Sequence, residues 1–451
     1  MTWRGVALSE HRRSALCNGA IGMLEYLAQP LGLLLSAPYL LRHLGSAQFG
    51  VWVLAGAAVN GGNTISSGFG DAAIRFVAMY RGCEDRSGVE QAVRVTLAIN
   101  LVLGGAVAIA IWLLAPFIAI RAAHGNQPLA FSCTASLRIG SLLLVVRSVD
   151  SVLGCTLRAF ERYAPAASIA TAFRFAVLAA AVALSAMRQG VVAIMAVTLL
   201  LALLSVAAQG FAVRAIAGRI LLLPSFARQP FKQVLSFGVF SWLQGISAIA
   251  FTQADRLAVG VIVGATAVAQ YGLCAQAAQS IHGTIAAGFH WLFPHLSRRL
   301  ETDPPRRIGS AAIAAGSLNV LLAALAAAAC ALFSRRILSL WMGPEFAQQA
   351  APLFATMSVA YGLFAMNVTA HYVLLALGRV RLVTALNLAA AVSVMALMIP
   401  LATTFGSLGA ACARLIAGPI TCLLYLPLAK QMRIMSGPRA SSDATAAWEN
   451  A

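Results

Sequence analysis

Long apolar runs follow one another along the whole chain, separated by short polar breaks that carry arginines. The runs are continuous, as in Val95 to Ala119, and do not alternate with a period of two. They therefore predict helices and not the ten-residue strands of a membrane barrel. Twelve runs reach the length that crosses a bilayer: Ala15–Leu40, Phe49–Phe69, Val95–Ala119, Thr134–Leu157, Pro165–Met187, Val191–Val213, Val234–Ile262, Val268–Phe293, Ala311–Phe333, Ala350–Leu375, Leu382–Leu401 and Leu408–Leu428. Between the sixth and seventh lies a polar, basic stretch, Arg214 to Lys232, containing Pro224 and Pro230. Such a break marks a boundary. The expected architecture is an all-α integral membrane protein with two six-helix lobes related by a pseudo-two-fold axis. The lobes are residues 1–215 and 216–435, and the small, polar tail 436–451 is expected to be disordered.

Several runs carry a polar stripe at helical spacing. The first places Asn18, Gly22, Glu25, Gln29, Gly32 and Ser36 on one face, and the second adds Asn60, Asn63, Thr64 and Ser67. In the seventh, Ser241, Gln244, Ala248, Thr252 and Asp255 share a face, with Arg256 beside it; the eighth answers with Gln276, Gln279, Gly283 and His290. An ionisable group at bilayer depth costs about 2.5 to 3.5 kcal/mol or more, so such groups face a bundle interior or a water-filled path. Glycines and serines on the same faces also suit tight helix packing, and Asp255–Arg256 also reads as a packing lock. In the fourth run Arg147, Asp150, Gly154 and Arg158 form a stripe, and the fifth contains Arg174. Counted from the turn near Glu161, Asp150 and Arg174 each lie roughly 17 Å into the membrane. Two arginines for one carboxylate leave a positive charge able to grip an anion. Arg256 and Arg414 are the other arginines inside the proposed spans.

Composition agrees with a membrane solvent: of 451 residues 60% are hydrophobic and 10% charged, with mean hydropathy +0.82, against about 25% charged for soluble domains. The net charge of +18 does not indicate nucleic acid, because basic residues never run beyond two together. It sets orientation instead. Arg42, Arg121, Arg138, Arg188, Arg335 and Arg336 fall at one set of helix ends and four arginines lie inside the spans, leaving 22 of the 32 basic residues at the other set. That asymmetry predicts both termini in the cytoplasm. The 8 cysteines contain no C-x-x-C pair and read as small packing residues. No metal, cofactor or hydrolase motif is present, and the gaps between runs are too short for a catalytic domain.

Leu44-Gly45 with Gln48-Phe49-Gly50 is echoed by Val263-Gly264 with Gln270-Tyr271-Gly272, the mark of two repeated lobes. Pro38, Leu41, Leu44-Gly45, Gln48-Phe49-Gly50 and Trp52, then Gly68, Gly70, Asp71 and Arg75, resemble the opening motifs of the bacterial polysaccharide exporters and O-antigen flippases of the multidrug/oligosaccharidyl-lipid/polysaccharide (MOP) exporter superfamily. Asp255-Arg256, Gly264, Tyr271-Gly272, Phe293-Pro294, Leu296-Ser297, Trp341, Gly343 and Phe346 are similar to its later ones. The resemblance implies paired six-helix lobes with an alternating cavity in the bacterial inner membrane. It implies an undecaprenyl-pyrophosphate-linked oligosaccharide as cargo and no cofactor. H+ or Na+ is a candidate coupling ion, and membrane lipids and other polysaccharide-assembly proteins are candidate partners. On this reading Arg147, Arg174, Arg256 and Arg414 are pyrophosphate candidates. Glu25, Gln29, Asn60, Asn63, Asp150, Gln244, Asp255, Gln276 and Gln279 line or gate the cavity. A drug or cation antiporter of the same fold and a membrane glycan polymerase or ligase are the alternatives.

Overall fold

The computed structural model describes the backbone of residues 3–218, 223–227, 252–289 and 305–429, with Leu292 and scattered positions between 231 and 249. Side chains are described from Gly32 onward, except at Asp71, 305–308 and Ala311. The expected cavity residues Glu25, Gln29 and Gln244, like Ser241, His290 and the tail 436–451, lie outside the described side chains.

The structure is about 90% helical, with no strand among the described residues. The chain packs as two compact units, Met1–Ala269 and Gln270–Ala451. In the first, α1 (Trp3–Ser67) holds the first two expected runs on either side of a break at Gly45, whose φ of 76° lies in the left-handed region. Only glycine takes that conformation without strain. Then come α2 (Gly70–Gly82), α3 (Arg86–Ala123), α4 (Gln127–Ala159), α5 (Tyr163–Ala186), α6 (Val191–Ala217) and α7 (Ala254–Ile262). Helix α3 starts where the Asp85 carboxylate accepts the Gly88 N–H at 2.9 Å, and α4 where the Asn126 side chain accepts the Leu129 N–H at 3.1 Å, each satisfying a donor the first turn leaves open. Helices α3 to α6 supply the third to sixth spans, with window hydropathies between 1.8 and 2.8. Their outward faces are large and apolar, as at Leu113, Phe117 and Leu204, while buried positions are rich in alanine and glycine, as suits helices packing in lipid.

The repeat read in the sequence has a structural counterpart. Gly264 stands at φ 106°, as Gly45 stands at 76°, and Phe49 and Tyr271 are both fully buried. Helix α7 lies against α1 and α3. A methyl group added at Gly50 would sit 1.8 Å from the Ala265 carbonyl oxygen, so backbone meets backbone there.

Helix α8 (Ala265–Phe289) leads into the second unit, which continues with α9 (Pro305–Leu332), α10 (Ser334–Met342), α11 (Pro344–Ala365), α12 (Val368–Ala376), α13 (Val380–Arg414) and α14 (Ala417–Cys422). The eleventh run and the start of the twelfth fall in α13 as two helical segments that meet at a break at Gly406, with φ 60°. Buried Asn319 donates to the Met366 and Ala365 carbonyls at 2.9 and 3.3 Å, and Tyr425 Oη donates to Met366 at 2.7 Å. These bonds satisfy the carbonyls freed where α11 gives way to α12. Helices α2 and α10 were not expected from the apolar runs; both are short, amphipathic and arginine-bearing.

Candidate functional site

Within the first unit the structure brings together what the fourth and fifth spans suggested. Arg147 and Asp150 stand one turn apart on α4, and Arg174 comes from α5; Arg147 feels the charges of both Asp150 and Arg174. The nearest contacts of Asp150, however, are not the arginines. Its Oδ1 accepts from Ser205 Oγ at 2.9 Å and from Gln209 Nε2 at 2.8 Å, both on α6. Gly154 makes room for this, because a methyl group there would lie 3.2 Å from Gln209 Oε1. The carboxylate is thus fixed by neutral donors. Arg147 is attracted to Asp150 through space, and among the described residues Arg147 Nε is buried without a hydrogen-bond partner. The three charges sum to one positive charge inside the bundle. Such a group favours an anion, and arginine offers it a planar, two-pronged donor set.

Sequence reasoning missed Ser205 and Gln209. Their signal was present: with Thr198 they form a polar row at steps of 7 and 4 in the otherwise apolar sixth run.

The remaining candidates are placed as follows. On α1, the carbonyls of Asn60 and Asn63 accept from Thr64 and from Ser66 and Ser67, and Asn63 Oδ1 is buried without a partner. Gly32 packs against α5, where an added methyl would meet Leu178 at 2.6 Å. Asp255 is buried and accepts the Arg256 backbone N–H at 2.8 Å, with Arg256 buried beside it. In the second unit, Gln276 and Gln279 are half-buried on α8. Arg414 is 4% exposed; one of its amino groups donates to Tyr361 Oη at 2.8 Å and its guanidinium lies 4.6 Å from the same ring. That double engagement makes it a fastening between α13 and α11. His282 stacks on Phe364 at 4.6 Å and lies within electrostatic reach of His371. Among the described residues no group of three His, Cys, Asp or Glu side chains could hold a metal.

Solved structures of transporters, one of them a member of the MOP superfamily, share this helical fold. An inward-facing multidrug resistance MATE transporter matches with a TM-score of 0.74 at 15% identity, over 94% of this chain and 100% of its own. The lipid II flippase MurJ, in an inward closed conformation, matches with a TM-score of 0.68 at 12% identity, over 93% of this chain and 90% of its own. The chain belongs to the family described as polysaccharide biosynthesis protein, which it matches over residues 18–300, more than half its length. Among curated proteins no relative matches.

Proposed function

We propose that the protein is a flippase that carries an undecaprenyl-pyrophosphate-linked oligosaccharide across the bacterial inner membrane, for O-antigen or exopolysaccharide assembly. Transport proceeds by alternating access to the two membrane faces, in a chain of two lobes, 1–215 and 216–435, with both termini cytoplasmic. The observation that carries the reading is the Arg147, Asp150 and Arg174 group inside a membrane helix bundle, in a chain of the polysaccharide biosynthesis family. A pyrophosphate is expensive in hydrocarbon, and fixed cations replace the hydration it gives up. Asp150, held by Ser205 and Gln209, offsets part of the positive charge while the site waits. A cation antiporter would carry the opposite sign of charge at such a point. Coupling to H+ or Na+ and handover to other polysaccharide-assembly proteins belong to the same proposal.

The test is binding of a lipid pyrophosphate to purified protein in detergent, alongside glycan export in cells. In an Arg147→Ala, Arg174→Ala variant that still melts cooperatively, affinity should fall by at least about tenfold, roughly the 1.4 kcal/mol of a single charge-assisted contact. Arg147→Lys should fall between that variant and wild type, because an ammonium keeps the charge and loses the fork. Unchanged binding in the folded double variant overturns the assignment.

A further inference from the structure

A second cationic feature of the first unit lies apart from the Arg147 group, where the Gly45 bend of α1 meets the turn between α5 and α6. A pocket of about 450 Å³ opens there, lined by Arg42, His43, Leu44, Gln48, Arg188, Gln189 and Gly190. Its frame is well held. Gln48 Oε1 accepts the Val191 N–H at 3.1 Å, capping the first turn of α6 with a side chain 143 residues away. Gly190 lets that side chain approach, since a methyl there would lie 3.2 Å from Gln48 Oε1. The His43 ring stacks on Tyr39 at 4.0 Å with its Nδ1 2.9 Å from the Tyr39 carbonyl. A carbonyl only accepts, so Nδ1 carries the hydrogen and Nε2 is left to the pocket. Arg42 and Arg188 are exposed, and neither guanidinium has a hydrogen-bond or ion-pair partner among the described residues.

None of the pocket's lining residues is acidic. The sequence contains no Asp or Glu from residue 26 to 70, nor from 162 to 254, the two stretches that build the pocket. The positive end of the 27-residue helix α6 points the same way. Arg42 and Arg188 are also two of the six arginines at the basic-poor set of helix ends, where cations are otherwise sparse.

We propose that this pocket binds a phosphate group borne by a lipid, gripped by Arg42 and Arg188 over the capped start of α6. Two sources present that chemistry, the headgroup of an anionic phospholipid and the phosphate of the carried lipid as it leaves. The second rests on the flippase reading and the first does not.

Purified full-length protein from mixed micelles of phosphatidylglycerol and phosphatidylcholine is analysed by native mass spectrometry, and lipid pyrophosphate binding is titrated separately. The informative variants are Arg42→Gln with Arg188→Gly, and Gln48→Glu. Glycine suits the φ of 55° at position 188, and glutamate keeps the acceptor for Val191 while placing a carboxylate in the pocket. If a phospholipid is the occupant, wild type retains phosphatidylglycerol over phosphatidylcholine, both variants lose that preference by about tenfold, and pyrophosphate affinity is unchanged. If the cargo is the occupant, lipid retention is equal in all three and lipid-pyrophosphate affinity falls by a similar factor in both variants. Gln48→Glu that melts like wild type and matches it in both measurements overturns the proposal. In that event, loss of lipid-pyrophosphate binding in the Arg147→Ala, Arg174→Ala variant would still uphold the function proposed above.

Discussion

Gln209 Nε2 donates to Asp150 Oδ1 at 2.8 Å across 59 residues of sequence, joining α6 to α4. This bond, with its partner from Ser205, decides what kind of acid Asp150 is. A carboxylate held by neutral donors keeps its position whatever the arginines near it bind, whereas one clamped in an ion pair moves with its partner.

Removing those donors should therefore be felt. Gln209→Leu is expected to lower stability by about 1.5 to 3 kcal/mol, the range for a hydrogen bond to a charged group. Ser205→Ala removes the other donor to the same oxygen and should also lower stability. Thermal melts of the purified variants measure this, and a Gln209→Leu protein as stable as wild type would show that the bond contributes nothing net.

In the second unit, Tyr361→Phe keeps the ring under Arg414 and deletes only the hydroxyl that accepts from it. A loss of about 1 to 3 kcal/mol is expected, because a buried charged donor loses an acceptor. Export at a temperature well below the melt should be unchanged if Arg414 fastens helices. A large drop in export with unaltered stability would instead return Arg414 to the pathway.

Two glycines on α1 offer a paired test of packing. Gly50→Ala should severely destabilise the first unit, by about 3 kcal/mol or more, because its methyl would collide with the Ala265 backbone oxygen at 1.8 Å. Gly56→Ala meets nothing within 4 Å and should be neutral or slightly stabilising, since alanine is the better helix former. Detergent-solubilised melting curves of the pair are the measurement, and equal effects would refute the close approach.

Asp85 caps α3 outside the membrane-spanning part, and the Gly88 N–H and then the Ser87 hydroxyl hold its carboxyl below the usual carboxylate range. Its folded value lies below its unfolded one, so the cap contributes fully above the unfolded value and fades as pH falls through the folded one. The melting difference between wild type and Asp85→Ala should accordingly be constant near neutrality and close only below about pH 4. A difference that already shrinks between pH 7 and 5 would contradict this.

Orientation gives a further expectation, from 22 basic residues at one set of helix ends against six at the other. On a cysteine-free background, cysteines placed at Arg86 and Arg306 should be shielded from impermeant reagents in intact cells, while those at Gln127 and Glu345 should react. Labelling at position 306 from outside would reverse the orientation.

Much of the fold was legible because lipid imposes one rule, continuous apolar helix, on every crossing. Gly45 and Gly264 could be paired from their surroundings alone, and both adopt the left-handed φ that ends a helix abruptly. The Arg147, Asp150 and Arg174 group was legible because charge inside an apolar run is rare. Ser205 and Gln209 were overlooked because neutral side chains do not stand out in a hydropathy profile. The tie between Arg414 and Tyr361 spans 53 residues, and only three-dimensional packing reveals it. Helices α2 and α10 escaped because a period of 3.6 over nine to thirteen residues is a weak signal beside a twenty-residue apolar run.

The carboxylate-free stretches 26–70 and 162–254 have one more consequence. Arginine carries a permanent charge, so the field at the Gly45 end of the first unit keeps one sign. Salt is the variable that reaches it. Exposed charges are screened over about 8 Å at 0.15 M and about 30 Å at 0.01 M. For a cell moving between dilute and saline surroundings, ionic strength sets how far the field of this end of the protein reaches.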